Sequence, residues 1–193
     1  MNPHVRLFEK IAWPYSWFFA RQTRTYASCF ERGRSALPDP KGKRALDTGC
    51  GSGAFTRALK NEGWNVDGVD AAQAMVAHAG KLGVACRYGN VLNGLPFPDK
   101  SYDLVTAAYV AHGLPAADRR LLFEETRRLS RGLVLFHDYN SVRRLATDIA
   151  EYLEGGDYFN FIHTAVEEMK AAFASVTIIP IGRQSSWYVC DPS

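Results

Sequence analysis

In the stretch A-L-D-T-G-C-G-S-G-A-F-T-R (45–57), three glycines stand at alternate positions just after an acidic residue. Gly49, Gly51 and Gly53 carry no Cβ, so the backbone there can turn tightly and come close to a ligand. The helix that follows presents unpaired N–H groups and the positive end of its dipole. Such a turn binds nucleotides, and Asp70, about 20 residues on, is placed to accept from ribose hydroxyls. The spacing Gly49-x-Gly51-x-x-Ala54 also fits the loose dinucleotide fingerprint, so the glycines alone leave two ligands open. Asp47 separates them. A pyrophosphate is a poor neighbour for a carboxylate two residues before the first glycine. An ammonium group, such as the methionine end of S-adenosylmethionine, is attracted to it.

The elements that must position these residues follow from the hydrophobic pattern. Short apolar runs at 44–47, 64–70, 84–89, 102–110 and 131–138 alternate with helical patterns at 53–62, 71–81 and 115–130, which predicts a parallel sheet covered by helices. An amphipathic helix over 141–154, an irregular G-G-D-Y-F-N-F-I and a short helix near 164–173 come next. Two last runs, 175–181 and 185–190, lie too close together for a crossover helix and predict an antiparallel pair. Ahead of the sheet, residues 4–36 read as helical with a break at Pro14, and L-P-D-P-K-G-K (37–43) reads as a linker. The expected organisation is a single domain, 1–193, with a cap over 1–40 and a core over 41–193.

Motifs in order carry a resemblance. L-D-T-G-C-G-S-G (46–53), then G-V-D-A-A-Q-A-M (68–75), then G-N-V-L-N-G-L-P-F-P-D-K-S-Y-D-L-V (89–105) together resemble the class I S-adenosylmethionine-dependent methyltransferases, nearest their small ubiquinone/menaquinone-biosynthesis-like branch. The resemblance covers about residues 40–140, and F-E-K-I-A-W-P-Y-S-W-F-F (8–19) is more loosely similar to that branch's N-terminal cap. It implies an α/β, Rossmann-like doubly wound fold: a mostly parallel seven-stranded sheet with a C-terminal antiparallel hairpin and an N-terminal helical cap. It also implies that Asp47 serves the cofactor ammonium through its loop, that Gly49, Cys50 and Gly51 line the methionine and ribose, and that Asp70 holds the ribose hydroxyls. Ala71, Met75, Asn90 and Val91 would lie by the adenine. Asn90 stands where many relatives carry aspartate, and its amide can still accept or donate. Tyr109 would lie under the sulfonium, and Tyr15 would cap the carboxylate.

In-line methyl transfer to S-adenosylmethionine's acceptor needs alignment, exclusion of water and, for a protonated acceptor, a base. His112 and His137, after the fourth and fifth runs, are the candidate bases, since open α/β sheets bind ligands at the carboxyl ends of their strands. No metal is expected, because His137, Asp138 and Asn140 lack companion carboxylates at matching strand ends. Thr106-Ala107-Ala108-Tyr109 stands where an Asn-Pro-Pro-Tyr-type motif would mark adenine or cytosine of DNA as the acceptor. Two aromatic groups, Tyr15, Trp17, Phe18 and Phe19 in the cap and Tyr158, Phe159 and Phe161 after Gly155-Gly156, are candidates for a lid and walls.

Composition sets the outer bounds. With 193 residues, 47% of them hydrophobic, the chain can bury a core without staples. Cys29, Cys50, Cys86 and Cys190 form no C-x-x-C pair, which speaks against zinc and a disulfide framework and for a reducing, cytoplasmic setting. No apolar run reaches the roughly 20 residues of a membrane span. Residues 1–44 carry a formal charge of +6 and the rest −3, so a basic face toward RNA stays open beside a small-molecule acceptor. A nicotinamide-dependent oxidoreductase and a non-catalytic cofactor-binding module are the other classes left, with a monomer or homodimer as the assembly.

Overall fold

The computed structural model describes residues 19–193. Its strands are β1 (Arg44–Thr48), β2 (Asn65–Asp70), β3 (Cys86–Tyr88), β4 (Tyr102–Ala108), β5 (Ser130–Tyr139), β6 (Ser175–Pro180) and β7 (Ser185–Asp191). They form one sheet in the order β3-β2-β1-β4-β5-β7-β6. β1 to β5 run parallel, with an α-helix in the β1–β2, β2–β3 and β4–β5 connections and a short 3-10 turn, Val91–Asn93, in the long β3–β4 one. β7 runs antiparallel to both β5 and β6. The expected doubly wound sheet with its C-terminal hairpin is what forms.

The helices are α1 (Phe19–Gly33), α2 (Ala54–Asn61), α3 (Gln73–Lys81), α4 (Ala116–Leu129), α5 (Leu145–Glu154) and α6 (Tyr158–Ala172). Successive strand residues point to opposite faces, so two cores build up. Leu46, Val105, Phe136 and Tyr188 pack with Phe123 of α4 and Phe161 and Met169 of α6. Ala45, Leu104, Leu135 and Trp187 pack with Phe30 of α1 and Phe55 and Leu59 of α2. α1 is fastened to this second face by the Phe30–Trp187 and Tyr26–Phe55 ring contacts and by Arg32, whose guanidinium donates to the Ile181 carbonyl.

Three expectations change. α6 begins at Tyr158, inside the stretch read as irregular. Gly155, in the left-handed region at φ 71°, ends α5, and Phe161 N–H bonds to the Asp157 carbonyl to start the next helix. Tyr158 and Phe161 are consequently core residues with no exposed surface, not walls of a lid. α5 starts at Leu145 rather than 141, since Asn140 takes the Val142 N–H in a side-chain turn. The expected break at Pro14, the cap residues Trp17 and Phe18, and Tyr15 all lie outside the described residues.

β1 sits between β2 and β4, the point where the chain reverses its direction across the sheet. The crevice at the carboxyl ends of β1 and β4 is therefore the expected ligand position.

Candidate active site

The loop from β1 to α2 is stitched to the end of β2. Gly49 N–H and Cys50 N–H both donate to the Val69 carbonyl, at 2.8 and 3.1 Å, and Gly53 N–H donates to Cys50 at 2.8 Å. Gly49, Gly51 and Gly53 all have positive φ (69°, 52° and 84°), conformations an L side chain adopts at a cost. At Gly49 a Cβ would also stand 2.5 Å from Val110 Cγ2. Glycine is thus required here twice over.

Asp70, the last residue of β2, holds the loop from the other side. One carboxylate oxygen accepts from Gly51 N–H at 2.7 Å and the other from Ala72 N–H at 2.7 Å. The carboxylate is half-buried and lies on the cavity wall.

Asp47 is somewhere else. It is fully buried under the loop, its two oxygens accepting from Thr56 Oγ1 at 2.6 Å and Thr106 Oγ1 at 2.9 Å, and it does not line the cavity. Burial pushes its pKa up to about 6 against the pull of the two threonine hydroxyls, with Asp70 adding repulsion. The register Asp47↔Thr106 across β1 and β4 makes the pairing unavoidable. Any service to a ligand passes through the loop backbone. Cys50 Sγ stands 2.8 Å from Cys86 Sγ on β3, and this neighbour together with burial raises its thiol pKa, so the thiol stays protonated.

Above the loop lies a cavity of about 560 Å³. Its walls include Gly49, Cys50, Gly51, Asp70, Ala71, Met75, Asn90, Val91, Tyr109, His112 and His137, so eleven of the thirteen expected residues meet on one cavity; Asp47 is beneath it and Tyr15 is not described. The Asn90 amide oxygen accepts from Leu92 N–H at 3.0 Å, which leaves its NH₂ as the outward group. Tyr109 adopts φ 55° at the end of β4, held by its N–H bond to the His137 carbonyl at 2.8 Å.

The two histidines differ. His137 is buried and its Nδ1 accepts from Trp187 Nε1 at 2.8 Å; burial lowers its pKa to about 4, outweighing Asp138, so the ring is neutral. His112 donates from Nδ1 to Asp138 Oδ1 at 2.8 Å. Burial works against its charge, yet Asp138, with Glu151 and Glu154 behind it, leaves its pKa raised. Asp138 itself is fully buried and also accepts from the Ala111, His112 and Tyr139 N–H groups, which fixes the ring's orientation.

Several wall residues have no motif to announce them: Arg21, Gln22, Thr25 and Tyr26 of α1, Tyr139 at the end of β5, and Glu151 and Glu154 of α5. Glu151 Oε2 is 3.5 Å from His112 Nε2, too far for a hydrogen bond. The one hint in sequence was a carboxylate within an amphipathic helix that follows a strand end.

The fold has many solved counterparts. Solved structures that superpose on most of the chain include a Thermotoga maritima protein described as a S-adenosylmethionine-dependent methyltransferase and possible histamine N-methyltransferase, with 19% identity, 96% of this chain and 99% of that one covered, and a TM-score of 0.71. The DhpI–SAH complex is similar at 21% identity, 99% and 96% coverage and a TM-score of 0.73. A putative S-adenosylmethionine-dependent methyltransferase from Methanococcus maripaludis is similar at 16%, 95% and 92%, with a TM-score of 0.73. These likenesses concern the fold.

Sequence matches cover part of the chain. Residues 46–136 match the family described as "Methyltransferase domain". A malonyl-[acyl-carrier protein] O-methyltransferase of Pectobacterium atrosepticum is 36% identical over 88 residues, 45% of this chain, and a trans-aconitate 2-methyltransferase of Mycolicibacterium gilvum is 36% identical over 75 residues, 38% of this chain. The matched region spans about a third of the length of these relatives, 33% and 29%. Residues 46–136, just under half of the chain, thus match a methyltransferase domain, within a fold that the chain shares with S-adenosylmethionine-dependent methyltransferases.

Proposed function

We propose that the chain is a S-adenosylmethionine-dependent methyltransferase with a small-molecule acceptor. The observation that carries the reading is the arrangement of Asp70. Its carboxylate holds Gly51 and Ala72 by their N–H groups and still faces the cavity, beside a bare main-chain loop. Two ribose hydroxyls fit a carboxylate so placed, and Met75, Val91 and the Asn90 NH₂ suit the apolar body and ring nitrogens of an adenine. Bound there, S-adenosylmethionine supplies an electrophilic methyl group. The protein's own contribution is alignment, against a wall that includes Tyr109, His137 and Tyr139.

His112 is the better-placed proton carrier of the two histidines, because His137 spends Nδ1 on Trp187 while His112 is oriented by Asp138 toward Glu151. The names of the relatives extend to a malonyl-acyl-carrier protein and trans-aconitate, and that of one structural neighbour to histamine; none of these is carried to this chain as its substrate.

Calorimetry tests the reading. S-adenosylhomocysteine should bind and NAD should not, and Asp70→Ala should weaken S-adenosylhomocysteine by about tenfold or more, the worth of a charge-assisted hydrogen bond. Tight NAD binding without S-adenosylhomocysteine binding overturns it in favour of an oxidoreductase.

A further inference from the structure

The two ends of the cavity differ in charge and in what they are made of. Met75, Asn90 and Val91 follow β2 and β3, whereas His112, Tyr139 and Glu151 gather at β4 and β5. In the order β3-β2-β1-β4-β5, the ends of β2 and β5 lie about 14 Å apart at the usual strand spacing. The β5 end is therefore left for the acceptor if the nucleoside occupies the β2 end.

At the β5 end α5 is turned inside out. Its apolar residues Leu145 and Leu153 are each 77% exposed, while Glu151 is 5% exposed and faces the cavity. A helix that presents a carboxylate inward and leucines outward gives up burial energy, so the carboxylate calls for a partner. Glu151 shares a hydrogen bond with the Tyr139 hydroxyl and faces His112 Nε2 at 3.5 Å, but its Oε2 has no hydrogen-bond partner among the described residues. Glu154, three residues on and hence on the same helix face, is half-buried and lines the same cavity.

The surrounding charges do not cancel. Asp138 and Glu151 stand 2.8 and 3.5 Å from the two ring nitrogens of His112, and Glu154 adds a third carboxyl group to one imidazole. Among the described residues, Arg21 is the one arginine or lysine on the cavity wall, and it is an exposed residue of α1. Tyr109 and Tyr139, whose ring centroids are 5.0 Å apart, add π faces that attract a cation. A carboxylate-bearing acceptor meets repulsion here, and a positively charged one meets a ready counter-charge.

We propose that the acceptor is an amine, that Glu151 binds it as an ammonium ion at the β5 end of the cavity, and that nitrogen receives the methyl group. This rests on the methyltransferase reading above and names its substrate class. The chemistry balances without another reactant. The ammonium gives a proton to the Glu151 carboxylate, and the freed nitrogen lone pair forms the N–CH₃ bond as the C–S bond breaks with its electrons to sulfur. S-adenosylhomocysteine leaves as a neutral thioether, the product is a methylammonium ion, and Glu151 returns its proton to solvent.

A matched pair of probes tests this without depending on turnover. The protein is saturated with S-adenosylhomocysteine and titrated calorimetrically with 2-phenylethylamine and with 3-phenylpropionate, which differ in the sign of the charged end. The amine should bind about tenfold or more tightly than the acid, and Glu151→Gln should remove that preference while S-adenosylhomocysteine affinity stays the same. Incubation with S-adenosylmethionine should then yield N-methylated amine by mass spectrometry. Equal or tighter binding of the acid, no preference between the two, or an amine affinity indifferent to Glu151→Gln overturns the proposal. If Glu151→Gln does not fold, Glu154→Gln, at a half-buried position, should lower amine affinity by roughly threefold, and no change there also counts against it. Failure of the wild-type protein to bind S-adenosylhomocysteine would instead sink the methyltransferase reading itself.

Discussion

At the scale of single residues, Asp47 is the informative case. Its type and position suggest a direct ionic partner for a ligand, but both its oxygens are taken by Thr56 and Thr106 beneath the loop. A direct ion pair and an indirect, positioning role predict different variants. If Asp47 paired with an ammonium group, Asp47→Asn would lose as much as Asp47→Ala. As a positioning residue, Asp47→Asn keeps an acceptor for one threonine and should bind S-adenosylhomocysteine within about threefold of wild type, whereas Asp47→Ala takes the carboxylate from the buried Thr56 hydroxyl, leaves Thr106 only its 3.3 Å bond to the Leu46 carbonyl, and should bind about tenfold or more weakly. Calorimetry on the two variants at pH 7.5 separates the roles.

At the scale of elements, the β1–α2 loop works because its glycines are left-handed and because Val110, just past β4, crowds it. Gly49 and Gly42 share nearly the same φ, 69° and 72°, but a Cβ at Gly42 meets no atom within 4 Å while one at Gly49 meets Val110. Gly42→Ala should therefore cost only the conformational term, about 1 kcal/mol, with ligand affinity kept. Gly49→Ala adds a clash that moves the loop, costing roughly 2–3 kcal/mol in urea denaturation and more than about tenfold in S-adenosylhomocysteine affinity. Equal effects of the two substitutions would show that the loop's position against Val110 is immaterial. Elsewhere, Arg119 welds α4 to α6: 1% exposed, it bonds Glu168 through Nε at 2.6 Å and Asp157 through a terminal nitrogen at 2.7 Å.

At the scale of the whole molecule, two buried titrations oppose each other. The folded pKa of Asp47, about 6, is above its ordinary 3.8, so its stabilising contribution is complete below pH 4 and is lost as pH rises through 6. His137 is lowered from 6.5 to about 4, so its contribution is present above pH 6.5 and is lost as pH falls through 4. Each shift is worth on the order of 3 kcal/mol, and over pH 4–6 they offset each other in part. Asp47→Asn should leave the His137 slope exposed, giving a protein whose stability falls more steeply from pH 6.5 to 4 than wild type. His137→Gln, which keeps an acceptor for Trp187, should show the reverse trend. Parallel pH profiles of urea stability in all three proteins would disprove both assignments.

The glycines, Asp70 and the alternation of apolar runs determined the sheet, its order of motifs and the glycine-loop end of the cavity, because strand periodicity and φ > 0 requirements are local properties that a chain cannot hide. The helical start at Tyr158 escaped that reading, since an aromatic run after two glycines has no distinctive period until its buried stripe is in place. What α5 would turn toward the site was equally illegible: an amphipathic pattern over 141–154 does not announce that Glu151 is buried while Leu145 and Leu153 are exposed. Asp47's partners and the Asp138–His112–Glu151 alignment also come only from the folded chain, because they join residues from separate elements whose spacing in sequence carries no trace of their distance. Local geometry is written in neighbours along the chain, whereas the charge of a pocket is the sum of groups that tertiary packing alone brings together.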